Sequence, residues 1–216
     1  MPKKSRTVPS LKLEQQAWRE GYVHVAGVDE AGRGPLAGPV VVAAVILGKN
    51  WNSQHPLNDS KKLSTKLRES LFDLIRKEVQ AYRIVAVSPM LIDQVNILQA
   101  TLLGMKRAIN ELKTKPDFVL VDGKQYPSTP IPGKPVIRGD TISCSIAAAS
   151  ILAKVARDRV MKGYHQIYPH WGFEKHKGYP TQQHRDAIEQ YGTCLIHRHS
   201  FQCRSQKMKT EQLKLL

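Results

Sequence analysis

Acidic residues stand at or beside three strand-like ends of this chain: Asp29 and Glu30 after the run VHVAGVD, Asp122 after DFVLV, and Asp140 just ahead of an alanine-rich segment. Carboxylate oxygens are the ligands that hard divalent cations such as Mg²⁺ and Mn²⁺ prefer, and phosphoryl transfer gains from ions that stabilise the attacking and leaving oxygens. A pocket that gathered these acids would be strained without a cation, because crowded carboxylates repel and raise one another's pKa. Taken singly, each aspartate reads more readily as a turn or helix-cap residue. Only their joint occurrence in a basic chain favours a shared site. Asp29 and Glu30 add a geometric difficulty, since neighbouring side chains on a strand point to opposite faces. The expectation is that the chain bends at Glu30, helped by Gly32 and Gly34, or that one of the two contributes through its backbone carbonyl.

The elements that must position these acids follow from periodicity and punctuation. Residues 23–29 and 39–47 are β-branched runs bounded by Gly and Pro, which predicts two strands joined by the loop 30–38. The second run is apolar on both faces and belongs inside a sheet. Ser64 or Thr65 caps a helix reaching Glu78, and a strand follows at 82–87. Ser88-Pro89 starts a short helix, after which Asn96 caps a longer one with Leu98, Leu102, Met105, Ile109 and Leu112 on one side. Strands are expected at 117–121 and 135–138, then a helix beyond Asp140 whose alanines at 146–156 allow close packing on the sheet. Residues 163–178 read as an aromatic loop, and Thr181 caps a last helix ending near Gly192.

The chain has 216 residues and 33 Lys and Arg against 18 Asp and Glu, a formal charge of +15. A polyanion is the natural partner, and nucleic acid fits better than a membrane because the basic residues are spread along the chain. Cys144, Cys194 and Cys203 are too few for a disulfide framework, and no apolar run reaches membrane-spanning length. A cytoplasmic protein is expected, with no membrane association and a monomer as the default state. Residues 1–20 read as a flexible basic segment, 21–200 as one domain, and 201–216 as a basic tail.

The segment GVDEAGRGPLAGPVVVAAVIL at 27–47 resembles the opening signature of ribonuclease HII. Further blocks agree in order: LNDSKKLS at 57–64, NILQATLLGM at 96–105, VLVDGK at 119–124, RGD at 138–140, SIAAASILAKVARD at 145–158 and HKGYPTQQH at 176–184. The resemblance covers about residues 22–200 and implies an α/β, ribonuclease H-like fold: a mixed central sheet flanked by helices, with a small helical C-terminal appendage. It implies that Asp29, Glu30, Asp122 and Asp140 are the catalytic and metal-binding acids and that Mg²⁺ or Mn²⁺ is the cofactor. The implied substrates are RNA/DNA hybrids and duplex DNA with embedded ribonucleotides, cut 5′ of the ribonucleotide to leave 5′-phosphate and 3′-hydroxyl ends. Repair of misincorporated ribonucleotides is the implied role. A non-catalytic RNA/DNA-binding protein is the alternative, and a metal-dependent phosphatase or exonuclease a third.

An enzyme of that kind must sense one 2′-hydroxyl. Gly32-Arg33-Gly34 suits the task, since glycine lets the backbone approach a sugar while Arg33 engages a phosphate. Tyr179 resembles the family tyrosine that packs on the sugar, although a half-buried core tyrosine reads equally well on physics alone. Lys61 and Lys62 are candidates for phosphate contact, and Lys175, Lys177, Arg198 and Arg204 are expected to extend a basic track. Cys194, His197, His199 and Cys203 have zinc-type side chains in a non-standard spacing, with both His rings expected on one face of a strand. The resemblance requires no zinc there. His24, His170, His176 and His184 read as packing or hydrogen-bonding groups and not as general bases.

Overall fold

In a computed structural model that describes residues 8–53 and 55–201, the second apolar run becomes the most deeply buried strand of a five-stranded sheet. Strands β1 (Val25–Ala31), β2 (Val40–Ile46), β3 (Ala81–Val87), β4 (Phe118–Asp122) and β5 (Gly133–Val136) lie in the order β3-β2-β1-β4-β5. The first three pair antiparallel, whereas β4 runs parallel to β1 and β5 parallel to β4. The sheet is therefore mixed, as expected. Every residue of β2 is buried because both faces of the sheet are covered.

Helices α2 (Thr65–Glu78) and α4 (Cys144–Ile167) cover one face, where Ala43 and Val45 meet Phe72, Ile75, Ala147 and Leu152. Helix α3 (Pro89–Asn110) covers the other, with Ile92, Met105 and Ile109 against Val28, Val42 and Ala44. Ser64 caps α2, its Oγ accepting from the Leu67 amide at 3.3 Å. Asn96 marks the expected break between a short and a longer helix: its φ is 70°, and its Oδ1 accepts from the Leu98 and Gln99 amides at 3.0 and 3.1 Å.

Three expectations are corrected. Residues 163–167 continue α4 to Ile167 instead of opening a loop, because a Cβ at Gly163 would face open space and an exposed helical glycine costs only about 1 kcal/mol. The remainder of the aromatic stretch holds the short helix α5 (Phe173–His176), ahead of α6 (Gln182–Tyr191), which Thr181 caps. The N-terminal twenty residues are not uniformly a flexible basic arm. Helix α1 (Lys12–Arg19) packs on the domain through Ala17, and the buried Glu14 carboxylate accepts from Ser143 Oγ at 2.5 Å and from Ser145 N and Oγ at 2.9 and 2.7 Å. Residues 1–7 and the tail from 202 onward, with Cys203 and Arg204, lie outside the described residues.

Candidate active site

Parallel pairing of β1 with β4 brings two acids to the same end of the sheet. The last registered pair is Val28 with Val121, and one residue further along stand Asp29 and Asp122. Asp140 sits on a 3₁₀ turn, Gly139–Thr141, entered through Arg138 at φ 58°. That turn is tied to the strand end by the Gly139 amide, which donates to Asp122 Oδ1 at 2.6 Å.

Strand β1 runs past Glu30 to Ala31 without the expected bend, and no backbone carbonyl has to substitute for a side chain. Asp29 lies toward α4, where the Ser150 side chain favours its charged form. Glu30 also borders a smaller hollow under α3, beside Thr101 and Met105. Both carboxylates still line one cavity of about 830 Å³, shared with Asp122 and Asp140, because the cavity wraps over the end of the strand. Alternation is respected and Asp29 and Glu30 straddle the end of the central strand.

Burial is the largest force on these groups. It pushes the Asp29 carboxyl well above the usual carboxylate range, and the charges of Glu30 and Asp122 push the same way. Glu30 and Asp122 are likewise raised by burial, with Arg33 opposing it at Glu30 and the Gly139 amide opposing it at Asp122. Asp140 is raised by burial, then by Asp122 and Asp59. The four side chains stand around the wall and do not converge on a point: among the described residues no three His, Cys, Asp or Glu form a ready-made metal cluster. What fits a hard divalent cation is the donor set, all oxygen, anionic and mutually repelling.

This repulsion gives a measurable pH dependence. A carboxyl with a raised pKa in the fold favours the folded state when protonated, and that stability is lost as pH rises through the raised value. In the presence of a chelator, Asp29→Asn should therefore be more stable than the wild type near neutrality, with the gap closing below the ordinary carboxylate pKa. Calorimetric melting of both proteins across that range checks the sign.

The loop after β1 supplies the opposite wall. Gly32 turns at φ 95°, Arg33 is exposed with its Nη1 3.5 Å from Glu30 Oε1, and a Cβ on Gly34 would lie 3.8 Å from the Tyr179 ring. Gly32, Arg33, Gly34 and Tyr179 all border the cavity. Lys61 does too, with its charge felt by Glu30, Asp122 and Asp140. Lys62 is outside the cavity wall, its Nζ 3.8 Å from Asp59.

The sequence profile of the family described as Ribonuclease HII matches residues 26–204, which takes in every element carrying this cavity. The chain belongs to the ribonuclease HII family. A ribonuclease HII of Syntrophus aciditrophicus is 50% identical over 201 residues, covering 93% of this chain and 94% of its own. One from Desulfitobacterium hafniense is 52% identical over 191 residues, 88% of this chain and 73% of its own. Among solved structures, the ribonuclease H2 of Pyrococcus horikoshii superposes with a TM-score of 0.73 at 27% identity, over 88% of this chain and 98% of that one. As a ribonuclease HII the chain is an endoribonuclease, with the α/β architecture of the ribonuclease H2 and H3 structures.

Within this ribonuclease HII fold, several cavity residues have no role assigned from sequence. Ser150, Lys154 and Arg157 face the cavity from α4, and Arg68 holds the Lys61 loop by donating to the carbonyls of Ser60 and Leu63 at 2.6 and 2.7 Å. Ser60 and Ser150 join Oγ to Oγ at 3.0 Å, linking that loop to α4 behind Asp29. The available signal was spacing, since polar residues at steps of four and three interrupt an otherwise apolar stretch at 146–157.

Two expectations about the C-terminal region change. Arg198 is not on a surface track but fully buried, donating to loop carbonyls. His197 and His199 do not share a strand face. His197 is buried, 3.1 Å from His184 Nε2 and accepting from the Cys194 amide, whereas His199 is exposed. His176 and His184 are hydrogen bonded within this buried cluster, His184 to the Tyr179 carbonyl at 3.0 Å. Among the described residues no helix is long and apolar enough to cross a membrane.

Proposed function

We propose that this ribonuclease HII cuts the RNA strand of RNA/DNA hybrids and nicks duplex DNA 5′ of a single ribonucleotide, leaving 5′-phosphate and 3′-hydroxyl ends. The observation that carries the proposal is the placement of Asp29, Glu30, Asp122 and Asp140 around one cavity whose other wall is the Gly32–Gly34 loop and Tyr179. The four acids would hold Mg²⁺ or Mn²⁺, which when bound supplies an activated water and charge stabilisation for the leaving oxygen. Arg33 and Lys61 engage the phosphates flanking the cut. The Gly32–Gly34 backbone reads the 2′-hydroxyl, and Tyr179 packs its ring on the sugar. The basic surface holds the duplex without regard to base sequence. Removal of misincorporated ribonucleotides in the cytoplasm, by a monomer, is the role this chemistry suits.

The test is a labelled duplex carrying one ribonucleotide, incubated with Mg²⁺, Mn²⁺ or EDTA. A single internal nick with either ion and none in EDTA is expected. Binding without product under every condition sinks the proposal, as does release of mononucleotides from an end.

Gly32→Ala probes the sugar-reading loop. A Cβ at φ 95° is strained and would lie 2.8 Å from the Arg157 Cζ, so the loop must shift. Discrimination between ribose and deoxyribose should fall by roughly 10-fold or more, the scale set by small misplacements of a positioned group. Unchanged selectivity in competition between the two duplexes would remove the backbone from this role.

A further inference from the structure

The loop of residues 32–39 between β1 and β2 has little side-chain bulk of its own with which to hold a shape: three of its residues are Gly and two are Pro. Two guanidinium groups hold it instead. Arg157 of α4 and Arg198 of the segment after α6 are 1% and 2% exposed. Arg157 donates from Nε to the Pro39 carbonyl at 2.9 Å and from Nη2 to the Ala37 carbonyl at 3.2 Å. Arg198 donates to the carbonyls of Gly38, Arg33 and Gly32 at 2.9, 2.9 and 2.6 Å. Burying a cation costs free energy that only well-directed bonds recover, and here the acceptors are loop carbonyls, not carboxylates.

The geometry reaches both parts of the sugar-facing wall. Gly32 has no Cβ where the Arg157 side chain passes, and the same guanidinium lies 5.9 Å from the centre of the Tyr179 ring. Arg198 is fixed from behind, because Asp93 accepts from the amides of His199 and Ser200 at 2.8 and 2.9 Å. With the Gly32 and Arg33 carbonyls held, those peptide planes cannot rotate, and their free polar groups keep one direction. A planar fork can serve three carbonyls at once, which a lysine ammonium cannot do with the same geometry.

We infer that Arg157 and Arg198 are positioning residues for ribose recognition, fixing the Gly32–Arg33 backbone and the Tyr179 ring without touching substrate. The inference rests on the sugar-reading role proposed for that wall. It assigns the ribose selectivity of the enzyme in part to two buried charges that act through the loop and not on the reacting atoms.

Arg198→Lys tests it, with Arg157→Lys as a second variant should the first not fold. Hydrogen exchange is read at the amides of Leu36 and Gly38, which are bonded to the carbonyls of Gly178 and Ile196. Exchange there should rise about 10-fold or more while β2 and α3 keep wild-type protection. On the single-ribonucleotide duplex, kcat should fall roughly 30-fold and KM should rise about 10-fold toward the weaker binding of an all-DNA duplex. An all-DNA duplex of the same sequence should compete nearly as well as the ribonucleotide duplex, a change that loss of stability alone does not produce. Unaltered exchange at both amides overturns the inference whatever the activity. Loosened exchange with wild-type kcat and competition overturns it as well. A wild-type protein that makes no nick at the ribonucleotide overturns the functional reading itself, and that failure is recognised without any variant.

Discussion

Asp29→Asn should leave a folded protein that binds a ribonucleotide-containing duplex and scarcely cuts it. The substitution is isosteric, and the remaining side-chain oxygen can still accept from the Glu30 amide, a bond of 2.7 Å in the wild type. What disappears is one of the anionic ligands proposed for the metal, the most buried of the acid set. Removing a ligand for an ion that activates water and stabilises the leaving oxygen should lower kcat by roughly 1000-fold, or about 4 kcal/mol of transition-state stabilisation. KM should stay close to the wild-type value, because the phosphate contacts proposed for Arg33 and Lys61 are untouched. Stability measured in chelator should rise at the same time, which separates a chemical defect from misfolding. Steady-state kinetics in Mn²⁺ beside calorimetric melting makes the comparison, and undiminished kcat would remove Asp29 from the mechanism.

Gly27→Ala should have the largest effect on stability. Helix α4 crosses β1 so closely that a Cβ at Gly27 would overlap the backbone of Ser145 and Ile146 and lie 2.5 Å from Ser145 Oγ. The obstruction is helix backbone, which cannot swing aside as a long side chain can. Overpacking of this kind costs about 3 kcal/mol or more, a large part of a typical domain's total stability. A fall in Tm of roughly 10 °C or more is expected for a chain of this size. Any movement of α4 that relieves the overlap would also shift Ser150 away from Asp29, so the activity remaining in the folded fraction should fall too. A melting temperature within about 2 °C of the wild type would mean that the close approach of α4 to β1 is not needed.

Much of the fold was legible because its decisive segments carry strong local signals. PVVVAAVIL is too uniformly apolar to be anything but interior, and Ser64, Asn96 and Thr181 announce helix starts through short polar side chains that accept from backbone amides. The candidate acids stood out for the same local reason, each following a strand or preceding a helix. Their sharing of one cavity was not legible from spacing. It depends on β1 and β4 running parallel, a pairing between residues more than ninety positions apart. The resemblance in DEAGRGP and AAASILAKVARD supplied what periodicity could not.

The misreadings share a physical cause. Glu14 looks like one more charge in a flexible, solvated N-terminal segment, because the hydroxyls and amide that justify its burial belong to Ser143 and Ser145. Arg198 looks like one more phosphate contact in a chain of +15, since composition does not separate a guanidinium in water from one that donates to carbonyls in the interior. His197 and His199 look like a pair on one face, yet an irregular segment sends one inward and the other to solvent. For Glu14 and Arg198 the partner is distant in sequence and is backbone or a small hydroxyl, which leaves no pattern of charge or hydropathy to read.

Titration of Mn²⁺ into the wild type, Asp29→Asn and Asp140→Asn, followed calorimetrically in the absence of nucleic acid, addresses the shared acidic cavity most directly. Saturable binding by the wild type is expected, weakened about 10-fold or more in each variant, the scale of losing a carboxylate ligand or its immediate support. Equal affinity in all three proteins, or no binding by a wild type that still nicks in EDTA, would contradict a metal site built from these carboxylates.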